Sequence, residues 1–152
     1  MPTQPGLFGK LPAHGDFVRR NLPRSFVSPW DRWLSEGVRA TPDATWTAWR
    51  FHLAAGRCGP AAVAGVIVPS SDSVGRRFPM TLAALGVVLV PPPSWFADLE
   101  RLPVSNLGAD ALAAALPEVP LDGTVPAGES CFWNSDGRDH AMEAGFAALL
   151  ST

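Results

Sequence analysis

Residues 61–93 read AAVAGVIVPSSDSVGRRFPMTLAALGVVLVPPP. Two apolar runs, 61–68 and 80–90, are each stopped by proline: Pro69 after the first, and three prolines at 91–93 after the second. Short apolar runs bounded by such breakers predict strands. The polar link at 69–79 is short, so the two are expected to be antiparallel neighbours rather than parallel strands joined by a crossover helix. Neither run approaches the ~20 residues that a membrane span needs.

Working outward, residues 49–54 form a third strand candidate, aromatic at its start. Leu7 and Phe8, then Phe17 and Val18, flank a Pro/Gly-rich link and predict a short strand, a turn and a second extended piece. Residues 130–133 predict another strand, 134–138 a turn, and 117–128 a loop. The first helix is expected over 28–40, with Ser28 as N-cap, Pro29 in the first helical position and Asp31 completing a capping-box-like pattern. Trp30, Trp33, Leu34 and Val38 recur at helical spacing, which predicts a buried aromatic stripe. Further helices are expected over 94–102, capped by Ser94, over 108–116, and over 139–150. Strands clustered between helices indicate one α+β domain over 1–152, a central, mostly antiparallel β-sheet flanked by α-helices.

Composition supports a globular core. The chain has 152 residues, 47% hydrophobic and 17% charged, so disorder is not expected. Sixteen prolines and fourteen glycines imply short elements with frequent turns. The formal net charge is −2 and Lys10 is the sole lysine, which argues against a nucleic-acid partner. Cys58 and Cys131 match no metal or redox spacing and are expected to be buried thiols in a reducing cytosol. No charged start followed by an apolar run marks a signal peptide, so the protein is expected to be cytoplasmic and not membrane-embedded.

Candidate chemistry is sparse. Gly6-Leu7-Phe8-Gly9-Lys10 has only two residues between its glycines, and Leu11-Pro12 follows. A phosphate-binding loop needs four residues there, then Ser or Thr, then a helix. His14 and Asp16 are the residue types of acid–base chemistry, but no serine or cysteine nucleophile motif accompanies them. The plainer reading has Asp16 bonding nearby backbone amides or pairing with Arg19 or Arg20. His52 and His140 are isolated, so no metal and no cofactor is expected. The link at 69–79 holds Asp72, three serines and the pair Arg76-Arg77. It is either a docking loop for an acidic or phosphorylated partner, or a solvated turn with Arg76 or Arg77 paired to Asp72.

The run GLFGKLPAHGDFV at 6–18 resembles the opening signature of the TagF (ImpM) family. The resemblance continues through LPRSF at 22–26 and PWDRWL at 29–34. It resumes at WRF (49–51), GVIVPS (65–70) and DSVGRRFPMT (72–81), and weakly at SCFW (130–133). The stretches before Trp49 and after Pro91 are shorter than the family pattern. The resemblance implies an accessory protein of type VI secretion, a post-translational repressor acting on a forkhead-associated scaffold protein, with no catalytic residues to carry over. Lys10, Asp16, Arg76 and Arg77 are the residues expected to meet that partner. Two alternatives stay open: a structural component of the apparatus, and an enzyme using Asp16 and His14 with Arg76 or Arg77.

Overall fold

A computed structural model describes residues 4–126, 131–134 and 136–150. Its strands are β1 (Gly6–Gly9), β2 (Val18–Arg20), β3 (Trp49–Leu53), β4 (Val63–Val68), β5 (Met80–Leu85), β6 (Phe132–Trp133) and β7 (Asp139–His140). They form one sheet in the order β2-β1-β5-β4-β3-β6-β7, and every neighbouring pair is antiparallel. The helices are α1 (Arg24–Ala40), α2 (Pro93–Glu100), α3 (Ala109–Ala115) and α4 (Phe146–Leu150), with a 3-10 turn at Met142–Ala144. The expected α+β architecture is therefore the observed one.

All residues of β4 and β5 are buried. Alternate side chains feed two layers of core. Val63, Ile67, Ala83 and Leu85 pack with Phe26, Trp30 and Leu34 of α1 and with Phe146 and Leu149 of α4. Ala64, Val66, Leu82 and Ala84 pack with Trp95, Phe96 and Leu99 of α2 and with Leu112 of α3. Burial on both faces is why these strands read as continuous apolar runs rather than alternating ones.

Four element boundaries differ from the sequence expectation. First, α1 begins at Arg24, not Ser28. Its buried stripe is Phe26, Trp30, Leu34 and Gly37, and the carbonyl of Pro23 accepts from the amides of Phe26 (3.1 Å) and Val27 (3.0 Å). Burying Phe26 and Val27 outweighs the hydrogen bond that Pro29 cannot donate from within the helix. Ser28 is exposed and caps nothing. Second, β5 stops at Leu85. The chain turns at Gly86, whose amide donates to Ala62, and Val88 and Leu89 emerge to solvent.

Third, no helix runs from Asp139. Asp139 and His140 pair with β6, and Gly145 at φ 83° separates the 3-10 turn from the short α4. That backbone region suits glycine and ends a helix. Fourth, α2 starts at Pro93 with Pro92 before it and no side-chain cap from Ser94. Ser130 and residues 127–128 of the expected loop lie outside the described residues.

The aromatic stripe is as expected at Trp30, which is fully buried, stacks on Phe26 at 5.4 Å and donates from Nε1 to Thr81 Oγ1 at 2.8 Å. Trp33, also expected to be mostly buried, is only partly so. It lies at the seam with the 3-10 turn, against Phe132 and Phe146, and its indole N–H donates to the carbonyl of Met142 at 3.1 Å.

Candidate functional site

The two loops singled out in the sequence, 10–16 and 69–79, meet beside the ends of β1 and β5. Gly9 makes this possible. Its φ is 148°, and a Cβ there would lie 2.2 Å from the carbonyl oxygen of Pro79. The glycines that resemble a phosphate loop thus serve strand packing. One backbone bond joins the loops, from Ser73 to His14 (2.8 Å), and two more close the second loop on itself, from Asp72 to Arg76 (3.0 Å) and from Phe78 to Ser70 (3.2 Å). The hydroxyl of Ser70 donates to the carbonyl of Lys10 at 2.6 Å.

Asp72 is the centre of this arrangement. Its side chain is fully buried. Oδ1 accepts from the amides of Val74 (3.0 Å) and Arg76 (2.9 Å). Oδ2 accepts from Arg76 Nε at 2.7 Å and sits 3.4 Å from Lys10 Nζ. Burial alone pushes this carboxyl up, but hydrogen bonds from Arg76 and Val74 and the charge of Arg76 outweigh it and hold its pKa at about 2. Arg76 then spans the gap between loops by donating from its guanidinium to the carbonyl of Gly15 at 2.9 Å. Lys10 also lies 5.0 Å from the ring centroid of Phe17.

The four residues expected at a partner surface are therefore distributed unequally. Lys10 and Arg76 converge on Asp72. Asp16 is exposed next to Gly15, and its Oδ1 accepts from the following amide, that of Phe17, at 2.7 Å. It does not pair with Arg19 or Arg20, because those side chains bond elsewhere: Arg19 to the carbonyl of Leu22 and Arg20 to Asp110, both at 2.7 Å. Arg77 turns away from Asp72. It donates to the carbonyls of Pro42 and Ala44 and stacks 4.3 Å over Trp46, bracing the segment after α1. Asp72 was legible only as a possible pair for either arginine. The signal for its larger role is one acid in a polar link between two fully buried strands.

The side chains of His14, His52 and Cys58 engage partners outside these loops. His14 Nε2 accepts from the amide of Ala109 at the start of α3, at 3.1 Å, so in this arrangement Nδ1 carries the proton. His52 is buried and its Nε2 lies 2.8 Å from the carbonyl of Val87. Cys58 is a free, buried thiol whose pKa burial raises to about 11. Among the described residues no group of three or more His, Cys, Asp or Glu is placed to hold a metal. Nor is any helix among them long and apolar enough to cross a membrane.

Beside the loops, an open cleft of about 310 Å³ runs along the first half of α1, with Phe17 on its wall.

The TagF N-terminal domain family, described as type VI secretion system-associated, matches residues 6–118. That span contains both loops, Asp72 and the cleft, and stops before β6. The crystal structure of PA0076 from Pseudomonas aeruginosa PAO1 is similar, with 35% sequence identity and a TM-score of 0.65. The match covers 78% of this chain and 63% of that one, so the chain spans less than two thirds of the length of that relative. No curated protein matches the chain.

Proposed function

Because the chain belongs to the TagF N-terminal family of type VI secretion-associated proteins, we propose that it is a cytoplasmic regulator of that apparatus. It represses secretion after translation, by direct contact with a forkhead-associated scaffold protein, and it binds rather than catalyses. The observation that carries this reading is the brace between the two loops. Asp72, Lys10 and Arg76 fix two surface segments against each other, while Asp16 and most of the Arg76 side chain stay exposed. A preformed charged surface loses little conformational entropy on binding, which favours a docking role.

The charges suit that partner class in one respect. A forkhead-associated domain uses arginines to hold phosphothreonine, and Asp16 offers an exposed carboxylate beside Arg76 to such a group. The enzyme alternative asks more of the geometry. His14 Nε2 would have to leave the amide of Ala109 before it could serve as a base.

The test is genetic and biochemical together. Deleting the gene from the source bacterium is expected to raise secretion without changing the levels of the structural components. Overproduction is expected to lower it. A deletion that abolishes secretion would instead make the protein a building part.

A further inference from the structure

The cleft along α1 adjoins the brace at Phe17, whose ring centroid lies 5.0 Å from Lys10 Nζ. Its apolar surface comes from Phe8, Phe17, Val18 and Val27, and its charged groups are Arg19, Arg24 and Asp31. Arg24, Val27, Ser28 and Asp31 fall about one turn apart and so share one side of the helix. The Ser28 and Asp31 that mimic a capping box in the sequence are lining residues of this cleft.

Two features point to an occupant. Phe17 is 44% exposed, yet its ring is fixed by stacking on Phe8 at 5.7 Å and by an edge contact with Phe78 at 4.9 Å. Lys10 Nζ also lies over the ring at 5.0 Å from its centroid, so this immobilised, part-exposed aromatic has little rotamer freedom to lose when something covers its open side. The charges are also uneven. Arg19 is held by the carbonyl of Leu22, and Asp31 accepts from the hydroxyl of Ser35 at 2.9 Å. Arg24 is exposed and makes no hydrogen bond or ion pair among the described residues. Two guanidiniums thus face one carboxylate, in a chain whose net charge is −2.

We infer that this cleft is a docking site for an extended acidic segment of a protein partner. One apolar side chain of that segment lies on Phe17 and Val27, and a neighbouring carboxylate meets Arg24. A basic segment is repelled by Arg24 and Arg19, and a purely apolar one leaves Arg24 unmatched. The inference goes beyond the regulatory reading and does not depend on the identity of the scaffold.

The probe is a pair of blocked, fluorescently labelled decapeptide sets. One carries a single Leu or Phe flanked by Asp and Glu; the other carries Lys in place of the acids. Binding to the whole chain is read by anisotropy at low and high salt. The acidic set is expected to bind about tenfold more tightly than the basic one at low salt, with the difference shrinking at high salt. Arg24→Glu removes the preference, and it is expected to leave the urea midpoint unchanged or raised, since acids suit the first turn of a helix. Phe17→Ala weakens the acidic set about tenfold in protein shown to keep its far-UV spectrum. Failure of both sets to bind, equal affinity for the two, or an acid preference that survives Arg24→Glu overturns the inference. Each of these results leaves the secretion phenotype above to be judged separately.

Discussion

The hydrogen bond between Trp30 and Thr81 ties α1 to the middle of the sheet, and it can be weighed by a double-mutant cycle. Trp30 is fully buried among other side chains. Phe26, Phe51 and Trp33 have ring centroids 5.4, 4.8 and 5.2 Å away, and Thr81 is itself fully buried. Trp30→Phe removes part of one ring, about 50 Å² of apolar surface or about 1 kcal/mol. It also leaves the hydroxyl of Thr81 without its donor, which costs about 1–3 kcal/mol more. Thr81→Val keeps the shape but orphans a buried indole N–H, for about 1–3 kcal/mol. In the double variant neither polar group remains, and only the lost packing, about 1–2 kcal/mol, is left. The coupling energy is the sum of the two orphaning costs that vanish in the double variant, about 2 kcal/mol at their lower end and already well above the ~0.5 kcal/mol scatter of independent sites. Urea unfolding followed by far-UV circular dichroism reads it, and with a slope of about 2 kcal/mol per molar it corresponds to about 1 M in midpoint. Additive costs would refute the reasoning, because they would mean that the indole and hydroxyl do not satisfy each other.

Other outcomes follow from single contacts. Gly37→Ala is expected to destabilise: its Cβ would lie 2.6 Å from Phe146 Cβ and 2.8 Å from the amide nitrogen of Ala147. The overpacking cost of about 1–3 kcal/mol exceeds the ~1 kcal/mol that alanine gains as a helix former, and hydrogen exchange in α4 should accelerate. Asp72→Asn is expected to loosen the two loops without unfolding the sheet, seen as faster exchange at the amides of Ser73, Val74 and Arg76. In the wild type, the Asp72 contribution is complete above its ordinary pKa of 3.8 and is lost as the pH falls toward about 2. Burial lowers the pKa of His52 below 6.5, against the opposing pull of the Val87 and Val88 carbonyls. The unfolded chain then binds the proton first, so stability should fall as pH drops below 6.5, and His52→Gln should flatten that slope.

The strands were legible because burial on both faces leaves an apolar run that needs no periodicity to be seen. β4 and β5 are such runs, and their proline and glycine stops are local. The helix ends were less legible. Ser28, Pro29 and Asp31 carry the residue types of a helix start, yet α1 is extended upstream by the burial of Phe26 and Val27, a tertiary effect. Met142, Phe146, Leu149 and Leu150 have helical spacing, but Gly145 divides them and β6 draws Asp139 and His140 into the sheet. In the site, the pairing of Asp72 with Arg76 is a local turn and was one of two options in the sequence. The turn of Arg77 toward Pro42, Ala44 and Trp46, and that of His14 toward Ala109, depend on contacts distant in the chain that carry no local signal.

The central claim is contact with the scaffold through the braced loops. Its most direct test is a calorimetric titration of the purified chain with a forkhead-associated scaffold protein from the source bacterium, at two salt concentrations. Wild type, Arg77→Ala and the double variant Arg76→Ala with Arg77→Ala are compared after each is shown to be folded. Binding by the wild type is expected, with a loss of about tenfold or more in affinity for the double variant, greatest at low salt. Binding that is absent in the wild type, or equal in all three proteins at both salt concentrations, would contradict it.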